Sequence, residues 1–171
     1  NYASNGSGSA PHLAGEMFAG MSGTRLNHVP FKGSAPALTS MLGGQTEVHF
    51  GNASDVMPHI RSGKLRALAV TGPRRVSALA DTPTMMEAGL PNYEYVAWFA
   101  YFAPAATPRE IILRLNADIG RILQLQDVRE RLSGQGSVEV VGGTPEQLAG
   151  YVGSAIAKWS KVVRDSGAKA D

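Results

Sequence analysis

Ser7, Gly8 and Ser9 are the residues whose types and spacing most clearly allow chemistry, within Tyr2-Ala-Ser-Asn-Gly-Ser-Gly-Ser-Ala-Pro-His12. Gly6 and Gly8 allow the backbone to turn its N–H groups inward, the serines add hydroxyl donors, and Pro11 suits a first helical turn capped by Ser9 or Ala10. A loop of this kind in front of a helix grips an anion, because free N–H groups and the positive end of the helix field point at it. That field is worth roughly 0.3 to 1 kcal/mol when exposed and up to about 2 when partly buried. The same arrangement recurs at Lys32-Gly33-Ser34-Ala35-Pro36. Two converging helix starts predict a cleft for a small carboxylate or phosphate. Asn52 follows a further strand candidate and offers both a donor and an acceptor to a ligand; Asp55 is the alternative there, or only the first-turn acid of the next helix.

Other chemistries find less support. Neither loop has Lys and Ser/Thr after its glycines as a phosphate loop requires, and Gly6-Ser-Gly8 lacks the third glycine of a dinucleotide fingerprint. Ser9, His12 and Asp55 could be drawn as nucleophile, base and acid, but no nucleophile elbow surrounds the serines. His12, His28, His49 and His59 have no H-x-x-x-H spacing, so no metal is expected; His12 is expected to hydrogen-bond within its helix start and His59 within a loop. Asp55, Asp81 and Glu87 share no face for paired-carboxylate hydrolysis. The chain has no cysteine, which removes disulfides and thiol chemistry. No enzyme activity and no cofactor are expected.

The elements that must position these loops alternate. Leu13, Met17, Phe18 and Met21 predict a helix over His12–Met21, Leu26–Pro30 a strand, and Ala37, Leu38, Met41 and Leu42 a second helix stopped by Gly43-Gly44. Val48–Phe50 and Leu65–Thr71 read as further strands, the latter buried. Thr82-Pro-Thr84 opens a brief helix closed by Gly89. This alternation predicts an α/β layer with helices on both faces. Tyr93–Ala103 reads as a long strand whose rings fill a core, or which shows one ring to a cleft. Thr107-Pro-Arg-Glu110 and Thr144-Pro-Glu-Gln147 read as capping boxes. They launch helices striped by Ile112, Leu115, Ile119 and Ile122, and by Leu148, Val152, Ala155, Trp159 and Val162. Between them lie a short helix through Val128 and Leu132 to Gly134, and an edge strand over Ser137–Val141.

With 171 residues, 43% of them hydrophobic, the chain can bury a core and is not disordered by composition. Sixteen Lys+Arg against fourteen Asp+Glu leave a formal charge of +2, too small and too evenly spread to suggest nucleic acid as a partner. No run approaches the ~18 apolar residues of a membrane span. The opening reads as the interior of a domain, as though Asn1 followed a cut. The C-terminal stripes need apolar cover, so self-association by exchange of helices, or partial disorder after residue 104, is expected of the chain alone.

Several runs together are similar to the solute-binding receptors of the tripartite tricarboxylate transporter family. They are Tyr2–Phe18, His28-Val-Pro-Phe-Lys-Gly-Ser-Ala-Pro-Ala-Leu38, Leu42-Gly-Gly-Gln45, Pro58–Thr71, Asp81-Thr-Pro-Thr84, Glu87-Ala-Gly-Leu-Pro91, Trp98-Phe and Phe102-Ala-Pro104, in order over nearly the whole chain. The resemblance implies an α/β fold of the type II periplasmic binding-protein kind. It further implies that residues 1–98 are the second ligand-binding lobe, and 99–171 a crossover strand and C-terminal helices that return to a first lobe outside this sequence. Ser7, Gly8 and Ser9 with Gly33, Ser34 and Ala35 would be this lobe's share of a carboxylate site. Relatives frequently carry Phe-Asp-Asn where this chain has Phe50-Gly51-Asn52, so Asn52 is kept while an acid that would favour a ligand amino group is lost. The implied role is capture of a small carboxylic acid in the periplasm and delivery to membrane transporter subunits, by closure of two lobes with no bond made or broken. The alternative is the ligand-sensing lobe of a regulator with a related two-lobed fold.

Overall fold

A computed structural model describes residues 1–133 and 138–169. It divides into two units, Asn1–Ala97 together with the segment from Trp159 onward, and Trp98–Lys158.

The first unit runs β1 (Tyr2–Ser4), α1 (Ala10–Ser22), β2 (His28–Pro30), α2 (Ser34–Leu42), β3 (Val48–His49) and α3 (Ala53–Arg61). The strands form one parallel sheet in the order β2-β1-β3, with Tyr2 opposite both His28 and Val48. Every residue of β1 is buried, as a central parallel strand requires. The chain steps from β1 to β2 in one direction and from β2 past β1 to β3 in the other. With right-handed crossovers, that reversal puts α1 and α2 on opposite faces of the sheet, as the alternation predicted.

Tyr2, Ala14, Met17, Phe50, Tyr93 and Tyr95 form the core, with Phe18, Leu26, Val48, Met85, Leu90, Trp159 and Val162 packed around it. Gly15 is there for space, since a Cβ on it would fall 2.3 Å from Tyr2 Cε2. The Tyr93 hydroxyl donates to the Ala14 carbonyl at 2.9 Å, tying α1 to a segment far along the chain. α3 has Asp55 in its first turn and Arg61 in its last, each complementing the helix field, and His59 lies in the same last turn. His59 is therefore helical and not in a loop.

Two expected strands do not form. Leu65–Thr71 contributes a single isolated bridge, Val70 to Thr84, and Leu68 is 65% exposed. Tyr93–Ala103 forms none; Tyr95 N–H donates to Thr71 O at 2.8 Å, but no ladder follows. A strand needs a neighbour along its length, and the short β2-β1-β3 sheet offers neither segment one. The core role of the aromatic run belongs to Tyr93 and Tyr95, whereas Phe99, Tyr101 and Phe102 are exposed. The brief helix expected after Thr82 is a single turn in which Thr84 N–H donates to Glu87 Oε2 and Glu87 N–H to Thr84 Oγ1.

The second unit is helical: α4 (Arg109–Ile122), α5 (Gln126–Leu132) and the larger part of α6 (Pro145–Ser166). α4 starts on Pro108 without a side-chain cap, so the box expected at Thr107 and Glu110 is not made. The box at Thr144 is made, reciprocally with Gln147. Arg109 pairs with Glu146 at 3.0 Å, and Trp98 meets Tyr151 edge to face at 5.4 Å. No described residue of α4, α5 or α6 is fully buried. The edge strand expected over 137–141 is not seen at Val138–Val141, and Ser137, like Gly134, lies outside the described residues.

Candidate functional site

All three strands are parallel, so the loops that follow them lie at one edge of the sheet. Residues 5–9 lead into α1, 31–33 into α2 and 50–52 into α3. The strand order reverses between β1 and β3, which makes the carboxyl ends of those two strands the switch point of the sheet. In open α/β sheets this switch point is where ligands bind. The fold also brings Ser7, Gly8 and Ser9 beside Gly33, Ser34 and Ala35. Phe31 N–H donates to Ser4 O at 3.1 Å and Gly33 N–H to Asn5 O at 3.3 Å, which fixes the two loops against each other. Asn52 is the N-cap residue of α3 at the same edge, on the other side of β1.

No side chain caps the first turn of α1, α2 or α3 among the described residues. Several donors expected to face a ligand are engaged within the loop itself. Ser9 Oγ donates to Gly6 O at 2.6 Å, and Gly8 N–H donates to His12 Nδ1 at 2.9 Å, an αL residue (φ 75°) that only glycine adopts without strain. Ser9 is therefore the positional cap of α1 but holds the loop and not the helix. Among the described residues, the Ser7 and Ser34 hydroxyls have no partner within the protein. Asn5 Oδ1 is buried with no partner, an acceptor at the start of the first loop that the spacing of glycines and serines did not single out. It could have been suspected only from its place between Ser4 and Gly6.

Beneath the loop lies a polar cluster that spacing could not reveal. The rings of His12 and His28 are stacked at 3.8 Å with a 4° interplanar angle. His28 Nε2 lies 2.6 Å from Ser4 Oγ, and Tyr2 Oη donates to Glu16 Oε1 at 2.7 Å. Burial, reinforced by the Glu16 carboxylate, pushes the Tyr2 phenol far above its ordinary range. On the β3 side, His49 Nδ1 sits 2.9 Å from Ala3 O. Its ring fills the space at Gly51, where a Cβ would lie 2.5 Å from His49 Cδ2. An acid at position 51 therefore cannot be accommodated while His49 keeps this place, which gives the Phe50-Gly51-Asn52 sequence a steric reason. Among the described residues, no group of His, Asp and Glu could hold a metal ion, and no helix is long and apolar enough to cross a membrane.

The model of the Tripartite tricarboxylate transporter family receptor matches residues 1–168. The chain belongs to this receptor family. It is 40% identical to "Protein BugT" of Bordetella pertussis, over 98% of this chain and 51% of that protein. Among solved structures it resembles "R. palustris Rpa4515 with adipate", with 35% identity and a TM-score of 0.87 over 98% of this chain and 56% of that one. It also resembles "MatC (Rpa3494) from Rhodopseudomonas palustris with bound malate", with 34% identity and a TM-score of 0.81 over 95% and 56%. The chain thus spans about half the length of these relatives. Members of the family are periplasmic solute receptors with the α/β binding-protein fold, so this chain is receptor and not enzyme sequence, and its compartment is the periplasm.

Proposed function

We propose that the chain supplies one lobe of a receptor that captures a small carboxylate and delivers it to the membrane subunits of a tripartite tricarboxylate-type transporter. Residues 1–98 are its second ligand-binding lobe, and 99–171 the crossover and helices that return to a first lobe. The observation that carries this reading is the juxtaposition of the Ser7–Ser9 and Gly33–Ala35 loops at the carboxyl edge of the sheet, with the Ser7 and Ser34 hydroxyls unengaged. Hydroxyls and helix-start amides favour an anion with oxygens to share, and the solved relatives named with adipate and with malate both hold carboxylates. Asn52 contributes from the third loop. The exposed faces of α4 and α6 are the surface for the first lobe; without it they favour self-association, which light scattering across a concentration series reads.

Calorimetric titration of the receptor with adipate and with malate tests the site. Replacing Ser7 and Ser34 together by Ala should weaken whichever acid binds by about 2 to 4 kcal/mol, since each hydroxyl contributes a hydrogen bond to a charged group. Ser9→Ala should act through the loop's geometry and weaken binding less. Unchanged affinity in the Ser7/Ser34 variant removes both loops from the site.

A further inference from the structure

The anion loop is held from below by imidazoles. Gly8 N–H donates to His12 Nδ1 at 2.9 Å. An amide can only donate, so Nδ1 must present its lone pair, which makes His12 neutral with its proton on Nε2. That proton faces Glu16 Oε1, 3.7 Å from Nε2, on the carboxylate that also accepts the Tyr2 hydroxyl. The flat face of His12 lies on His28, whose Nε2 reaches Ser4 Oγ. Ser4 Oγ in turn accepts Gly6 N–H at 3.2 Å. Both glycines that flank Ser7 are thereby tied to the stacked pair, Gly8 directly and Gly6 through Ser4. His12 is only 6% exposed, so water has little access to replace the tether.

We propose that His12, braced by His28, is the positioning residue of the anion loop and works only in its neutral Nδ1-acceptor form, so that acid releases the loop and weakens carboxylate binding. The inference rests on the carboxylate reading of the site for its effect on affinity, though not for the tether itself. A cationic histidine near an anion site ordinarily strengthens it. Here the proton would enter between Nδ1 and Gly8 N–H, setting donor against donor and taking away the geometry that aims the Ser7 hydroxyl. The groups that face the His12 ring include Glu16 on its own helix and His28 on β2, while the Tyr2 hydroxyl lies against the His12 backbone carbonyl. Glu16 favours a charge on the ring. The face-to-face His28 ring and the Gly8 donor oppose it, and the Gly8 donor acts at the nitrogen that must take the proton.

Nitrogen-15 NMR of the imidazoles and amide exchange at Gly8 test the tether without any ligand. At about pH 7.5 His12 should show the Nε2–H tautomer and Gly8 a protected amide, and that protection should fall as the solution is made acidic. Titrations with adipate and malate between about pH 8 and about pH 5.5 then read the consequence. His12→Asn keeps an acceptor near the position of Nδ1 that cannot be protonated in this range. It should retain binding at neutral pH and lack the extra loss, about tenfold for one hydrogen bond, that the parent suffers in acid. Titration of the ligand's own carboxyls is common to both proteins and cancels. His12→Leu should bind weakly throughout. An Nδ1–H tautomer, an unprotected Gly8 amide at neutral pH, or superimposable pH profiles for parent and His12→Asn would overturn the proposal. If neither acid binds the parent, the carboxylate reading fails, while the tautomer and the Gly8 exchange still decide the role of His12. Should His12→Asn fail to fold, the parent's own Gly8 exchange profile decides.

Discussion

The sheet-bearing unit and the helical unit solve opposite problems. In the first, α1 presses so closely on β1 that Gly15 leaves no room for a methyl group beside Tyr2, and Tyr2 and Tyr93 are completely enclosed. In the second, no described helical residue is fully buried, and Ile111, Leu113, Leu115, Ile122 and Leu125 stand roughly half exposed. Helices of the second kind are held by the Thr144–Gln147 capping box of α6, by ion pairs such as Arg109 with Glu146, and by ring contacts such as Trp98 with Tyr151. The difference teaches where precision is needed. The candidate anion loops spring from the tightly packed unit, where a displacement in the core is passed on to the strand ends.

The sharpest way to break this contrast is one methyl group in each unit. Gly15→Ala should push the Tyr2 ring from its place and destabilise the first unit by about 1 to 3 kcal/mol. Gly153→Ala on α6 meets nothing within 4 Å and should stabilise by about 0.5 to 1 kcal/mol through helix propensity alone. Chemical denaturation followed by hydrogen exchange measures both changes and assigns them to units; equal effects would remove the distinction.

Next in size is the response to alkali. Burial holds the Tyr2, Tyr93 and Tyr95 phenols above the ordinary range, with Glu16 adding to the effect at Tyr2. A raised phenol pKa means that the folded state favours the neutral form. Its contribution is intact below the unfolded value of about 10 and is lost as pH rises beyond it. Phenolate absorbance and near-ultraviolet circular dichroism should therefore change together at high pH as the first unit opens. Independent titration of these tyrosines in a still-folded core would contradict the packing.

The smallest effect lies at acid pH and touches both units. Glu87 is held below the usual carboxylate range by the Thr84 backbone N–H and then by Arg75. Glu146 is held there by its own backbone N–H and then by Arg109. A lowered carboxyl pKa contributes stability above the unfolded value, and this is lost as pH falls through the folded one, below about 4.3. Both groups are exposed, so the loss should be slight and screened by salt. Glu87→Gln and Glu146→Gln should flatten the acid limb of the stability profile in the corresponding unit only.

The local grammar was readable in one dimension. Hydrophobic spacing placed α1, α2 and α4, Gly and Pro placed their ends, and Thr144 with Gln147 announced a capping box that forms. The Ser-Gly loops were likewise visible, because glycines and serines cluster ahead of an apolar helix, a pattern that serves caps and turns as well as anions. Leu65–Thr71 and Tyr93–Ala103 were misread as strands because periodicity reports which side chains could be buried, while a strand also needs a partner backbone. Donor counting failed for a related reason. Composition gives Gly8 an amide and Ser9 a hydroxyl, but whether they face a ligand depends on what else has reached them.

By itself, then, the sequence determined the family, the order of the strand–loop–helix units and the candidate anion loops, since these depend on neighbours within a few residues. Only the tertiary structure decided that β1 is central, and so that the first two loops lie side by side. Only it placed His49 in the space a side chain at position 51 would need. It also stacked His12 on His28 beneath Gly8, with Tyr2, Ser4 and Glu16 closing the network. Those groups come from β1, α1 and β2, and the physical reason is that a parallel sheet joins residues some 24 positions apart, as Ser4 and His28 are, at hydrogen-bond distance. No local pattern encodes such a meeting, because each residue alone is an ordinary member of its own strand or helix.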